Sequence, residues 1–192
     1  MLKRFGAFFL DILEVVVLAV AIFLLVYLLL LQPHKIKGDS MKPNFLDGEF
    51  LLTDKISYRF GEPSRGDVVV FKAPVGNGEE FIKRIIGLPG ETISVKEGKV
   101  LINGTVLAES YLPDITITSS GGFLSEGKEI MVSPENFVVF GDNRSHSSDS
   151  RSWGFVSKEK ITGRAWLIYW PPRKAGVVPK IEYHLGKGLF EL

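Results

Sequence analysis

The pattern of apolar and polar positions divides the chain into one unbroken greasy stretch and a longer region of short alternating runs. From Val15 to Leu31 the sequence VVVLAVAIFLLVYLLLL carries no charge, and Ala7 to Leu10 extends it on the far side of Asp11 and Glu14. A helix of that length spans a hydrocarbon core of about 30 Å, so the pattern predicts one membrane helix with Asp11 and Glu14 near the interface. A cleaved leader is the competing reading. Its apolar core is usually only about 7–15 residues, however, and Leu31-Gln32-Pro33-His34 offers no small-x-small cleavage site, so a retained anchor is expected. Lys3 and Arg4 before the run nearly balance Lys35 and Lys37 after it, which leaves the orientation open by counting alone.

After this stretch come EFLLTDKI, DVVVFKAP, EEFIKRIIG, ETISVKEGKVLINGTVL, ENFVVFGDN and GRAWLIYW, separated by Gly, Pro, Asn and Asp. Runs of this length and spacing predict an all-β domain. Glu97-Gly98 and Asn103-Gly104 read as hairpin turns. The chain therefore divides into an anchor over residues 1–34, a β core over 35–90 and 135–172, a small accessory β region over 91–134, and a mixed tail over 173–192.

Composition narrows the chemistry. With 192 residues, 23 basic against 22 acidic side chains and a net charge of +1, the chain is sized for one domain with a small subdomain, and its charge points to no nucleic acid. Zero cysteines exclude disulfides, thiolate catalysis and cysteine zinc sites. No metal or other cofactor is expected. Nucleophiles must come from serine or threonine, and bases from three histidines, the lysines and the acids.

His146, inside GDNRSHSSDSRSWG with Asp149 nearby, suggests a Ser/His/Asp set, although such a polar loop contains these combinations by chance. His34 and His184 have less context. Lys83 has a more specific setting. If FIKRIIG is a strand, alternation places Phe81, Lys83 and Ile85 on one face, where a poorly solvated ammonium has a lowered pKa and the neutral amine is a competent base. The alternative is that Lys83 snorkels to solvent. In the same loop Asp142, Arg144, Asp149 and Arg151 can form ion pairs that hold irregular backbone.

Together, SMKP at Ser40–Pro43, RGDVVVF at Arg65–Phe71, KRIIGLPGE at Lys83–Glu91 and GDNRSHSSDSR at Gly141–Arg151 resemble, in that order behind an N-terminal anchor, the bacterial type I signal peptidases, membrane-bound Ser/Lys proteases. The resemblance implies a mainly β fold, with a single transmembrane helix followed by an antiparallel β catalytic domain and a small β accessory region. It implies that Ser40 is the nucleophile, whose backbone N–H serves the oxyanion, that Lys83 is the general base and that Ser147 orients the lysine. Arg84, Asp142, Asp149 and Arg151 would hold the active loop by ion pairs, and Ile36, Phe45, Phe81 and Ile82 would line shallow pockets for small side chains at the first and third positions before the cleaved bond. Secretory preproteins and the lipid bilayer are the implied partners. The implied location is the cytoplasmic membrane, with the N-terminus inside and the catalytic domain outside. Two positions depart from the pattern. Gly38 stands where some members carry an oxyanion-binding serine, and Asn44 replaces a frequent threonine. Two other functions fit parts of the sequence. A self-cleaving Ser/Lys repressor would need a DNA-binding region where the anchor stands, and a non-catalytic anchored β module would release no peptide.

Overall fold

A computed structural model describes residues 2–181 and Tyr183. Helix α1 covers Leu2–Leu30, and its window Phe8–Leu25 has a mean hydropathy of 2.8 with none of it buried against the rest of the chain. The helix stops short of the end of the apolar run. Pro33 disfavours α geometry at Gln32, and Leu31–Lys35 form the edge strand β1 instead, the kind of strand in which a proline is tolerated.

The remaining strands follow as β2 (Phe50–Asp54), β3 (Val68–Lys72), β4 (Glu80–Gly87), β5 (Thr92–Lys96), β6 (Lys99–Ile102), β7 (Thr105–Val106), β8 (Ile130–Met131), β9 (Asn136–Phe140), β10 (Val156–Ser157), β11 (Ile161–Trp170) and β12 (Gly176–Val177). Two helical turns, α2 (Ser57–Phe60) and α3 (Ser150–Trp153), interrupt them. The fold is mainly β. The larger sheet runs β1-β2-β11-β3-β4-β9-β10, with β12 against β11, and the smaller runs β7-β6-β5-β8. Paired strands in both sheets are antiparallel. The Asn103-Gly104 turn between β6 and β7 has positive φ at both residues (49° and 75°), the geometry that favours Asn-Gly there.

Alternation along β3 explains how the large sheet fills both of its faces. Val68 and Val70 enter a cluster with Ile36, Met41, Phe45, Leu51 and Ala165, whereas Val69 and Phe71 enter another with Ile85, Phe137, Val139 and Val156. Strand β9 alternates in the same way. Its Val138 and Phe140 join Ile86 and the accessory residues Ile93, Val95, Val100 and Ile102, so the small sheet shares a core with the large one. Each such side chain contributes about 1.5–3 kcal/mol by leaving water. The segment after β11 does not hang free, because Gly176–Val177 pair with Ile168 and Leu167. Residue 182 and residues 184–192, which include His184 and the end of the expected tail, lie outside the described residues.

Candidate active site

Ser40 sits on a tight turn between β1 and β2 whose neighbours are anchored in the core. Met41 and Phe45 are buried, the Phe45 N–H donates to the Met41 carbonyl, and the Gly38 N–H donates to Asp47 at 2.8 Å. Gly38 has φ +84°, a left-handed conformation that glycine adopts without strain. With both flanks tied down, the Ser40 side chain is left facing a cleft of about 570 Å³.

Lys83 approaches from β4. Its Nζ lies 2.8 Å from Ser40 Oγ and 3.0 Å from the Ile82 carbonyl, and 5.3 Å from the centre of the Phe81 ring. The lysine is only 4% exposed. Burial lowers its pKa to about 8, against the opposing fields of Asp149 and Asp142. The arrangement pairs a hydroxyl with an amine whose neutral form is reached far more readily than in free lysine, which is the geometry of an activated nucleophile. The snorkelling alternative for Lys83 is not what the fold adopts.

Of the four pocket residues expected from the sequence, Ile36, Phe81 and Ile82 line the cleft together with Leu51 and Val70. Phe45 does not. It turns into the core beneath the Ser40 turn, and it borders a separate cavity with Ile168 and Val178. His34 also lines the cleft, with Nδ1 3.4 Å from Glu80, and burial holds its imidazole below the ordinary pKa despite that carboxylate.

The loop after β9 is held by the pairs Arg84–Asp142 and Arg151–Asp149, with all four side chains buried. Asp149 also accepts from the Gly141 N–H at 3.0 Å and is itself fully buried, so it is committed to the loop. The His146 ring is exposed and its one hydrogen bond among the described residues is with Ser145, at 2.8 Å, so no Ser/His/Asp set forms around Ser40 there. Arg144 leaves the loop acids altogether. It reaches across to Glu109 and Thr118 of the accessory region.

The expected bond from Ser147 to the lysine is not formed: the hydrogen bonds of the Lys83 amine run to Ser40 and the Ile82 carbonyl. The Ser147 hydroxyl is buried and, among the described residues, has no partner. A Cβ on Gly141 would lie 2.2 Å from that hydroxyl and 2.4 Å from the Ser40 carbonyl oxygen, so only glycine lets this loop approach the Ser40 turn so closely.

Two asparagines tie the site together, Asn143, which the sequence does not mark, and Asn44, which it marks only as a departure from the pattern. The Asn143 N–H donates to the Ser40 carbonyl at 3.0 Å, and its side chain donates to the Asp39 carbonyl at 3.0 Å. Asn44 donates to Asp142 at 2.8 Å. Its polarity beside the Ser40 motif was the available signal.

The model of the family described as "Signal peptidase, peptidase S26" matches residues 9–170. The chain belongs to that family. It is 41% identical over 153 residues to signal peptidase I of Leptolyngbya laminosa, covering 76% of this chain and 71% of that one. It is 33% identical over 183 residues to signal peptidase I P of Bacillus subtilis subsp. natto, covering 88% and 93%. A solved signal peptidase I from Enterococcus faecalis V583 is 31% identical, with a TM-score of 0.46 over 54% of this chain and 97% of that one. Membership of this family makes the chain a signal peptidase, a protein-cleaving hydrolase.

Proposed function

We propose that the chain is a membrane-anchored serine endopeptidase that removes N-terminal signal peptides from exported preproteins, with Ser40 as nucleophile and Lys83 as general base. The observation that carries this reading is the 2.8 Å contact between Lys83 Nζ and Ser40 Oγ in the wall of an open cleft. Neutral Lys83 takes the hydroxyl proton as Ser40 Oγ attacks the scissile carbonyl, and the resulting ammonium gives that proton to the departing amine. Water activated by the same amine then releases the acyl group. The Ser40 N–H donates to the oxyanion. The Gly38 N–H is already engaged by Asp47, and Gly38 lacks a hydroxyl, so a second donor does not come from that residue.

Ile36, Phe81 and Ile82 narrow the cleft, which favours small side chains at the first and third positions before the cut. Helix α1 is the anchor, with residues 35–90 and 135–172 forming the catalytic unit outside the cytoplasm and residues 91–134 its accessory region. That placement brings Ser40 a few residues beyond the bilayer, where signal peptides present their cleavage sites.

The test is incubation of the detergent-solubilised protein with a secretory precursor and mass spectrometry of the products. A single cut after a small residue is expected, and it should be absent with Ser40→Ala or Lys83→Ala protein of unchanged circular dichroism. Cleavage by either folded variant would remove the Ser/Lys assignment.

A further inference from the structure

Glu109-Ser110-Tyr111-Leu112 lies between β7 and β8, in a segment rich in turn residues and without a reactive cluster. The fold nevertheless carries Tyr111 to the back of the Ser40 turn. The Arg84 guanidinium lies over its ring, 4.2 Å from the centre. The Tyr111 hydroxyl donates to Glu109 at 2.6 Å and accepts from Arg144 at 3.0 Å, and its carbonyl accepts from Asn44 at 3.1 Å. Tyr183 packs edge-on against the same ring, with centroids 6.2 Å apart. One residue thus meets, through its side chain, the residue after Lys83, the loop that holds Ser40 and the C-terminal segment, and, through its carbonyl, the turn that carries Ser40.

We propose that Tyr111, its hydroxyl fixed by Glu109 and Arg144, is a positioning residue that sets the Ser40 turn against the Lys83 strand. This rests on the Ser/Lys reading above. An aromatic face holds a guanidinium plane without using its edge N–H groups. Arg84 therefore keeps that edge for Asp142, at 2.8 and 2.6 Å, and for the Gly66 carbonyl, at 2.9 Å. Asp142 in turn receives Asn44 at 2.8 Å, and the adjacent Asn143 holds the Ser40 carbonyl. Without the ring, Arg84 tilts and water reaches its face, and the shift passes along this chain to Ser40. Displacements of about 1 Å between reacting groups can lower a rate by roughly 100-fold. Tyr111 does not line the substrate cleft, so the effect falls on turnover and not on binding.

The experiment measures kcat and KM of full-length wild type, Tyr111→Leu, Tyr111→Phe, Glu109→Gln and Ser40→Ala on one precursor peptide, together with melting temperatures and the pH dependence of kcat. Tyr111→Leu should lose roughly tenfold or more in kcat with KM within about twofold, and its rising pH limb should move toward free lysine as Lys83 hydrates. Tyr111→Phe and Glu109→Gln should each lose roughly threefold in kcat, since a freed ring positions less well. A merely structural residue would lower the melting temperature and leave kcat and the pH limb at wild-type values below it, which overturns the proposal. If Tyr111→Leu does not fold, the Phe and Gln variants decide, and a wild-type kcat in either overturns it. Activity in Ser40→Ala would overturn the Ser/Lys reading and this proposal with it. An unchanged Tyr111→Leu beside an inactive Ser40→Ala overturns this proposal alone.

Discussion

Arg84 closes two hydrogen bonds on Asp142, at 2.8 and 2.6 Å, with the two side chains only 3% and 0% exposed. The pair joins the strand of Lys83 to the loop of Asn143, so it locks together the two segments that bring base and nucleophile into contact. Removing one partner strands a buried charge. Asp142→Leu should therefore lose about 3–5 kcal/mol in chemical denaturation, and its combination with Arg84→Met should lose less than the sum of those two single losses. Strictly additive losses in that double-mutant cycle would contradict the coupling.

The depressed pKa of Lys83 fixes where activity should rise. Burial brings the amine to about 8, so the essential base in the pH profile of kcat/KM should titrate near that value. Steady-state cleavage of a precursor peptide across the alkaline range checks it. A limb still climbing near 10 would place Lys83 in a solvated setting and contradict the desolvation argument.

Stability should carry the same signature with a definite sign. The folded lysine releases its proton at about 8, whereas the ordinary value is 10.5, so between these pH values the unfolded state binds more protons and folding gains as pH rises. Below that window the buried ammonium is a constant handicap. Relative to Lys83→Met, the wild type should gain roughly 3 kcal/mol across the window, at 1.36 kcal/mol per unit. A stability difference that stays flat from neutral to alkaline pH would show that the lysine is not buried as described.

The features that were legible in the sequence are those set by local pattern. Uninterrupted apolar residues gave the helix, alternation gave the strands, and Asn103-Gly104 gave its turn, because each depends on neighbours along the chain. Alternation also pointed to Lys83 as a poorly solvated amine. Contacts between distant segments were not legible. Arg144 was grouped with the acids of its own loop, yet it meets Glu109, because the shared core brings the accessory segment against that loop. Phe45 was placed in a substrate pocket, but a turn anchored by two buried side chains directs it inward. Periodicity could not foresee where the helix hands over to β1. Pro33 decides that, through its effect on the residue before it.

Two polar residues of the GDNRSHSS loop, Asn143 and His146, should behave in opposite ways. Asn143 donates its side-chain amide to the Asp39 carbonyl at 3.0 Å, directly before the nucleophile, and its N–H holds the Ser40 carbonyl. Asn143→Ala keeps the backbone bond and loses the side-chain one, a contact of about 1 kcal/mol, so kcat/KM should fall roughly fivefold. The His146 ring is exposed and, among the described residues, bonds only to Ser145, while Asp149, its would-be orienting acid, is engaged by Arg151 and the Gly141 N–H. His146→Ala should retain at least about half of the wild-type rate, as expected for a surface residue outside the site. Parallel assays of the two folded variants on one precursor distinguish the cases: loss in His146→Ala with retention in Asn143→Ala would return the base to histidine and detach the Ser40 turn from its tether.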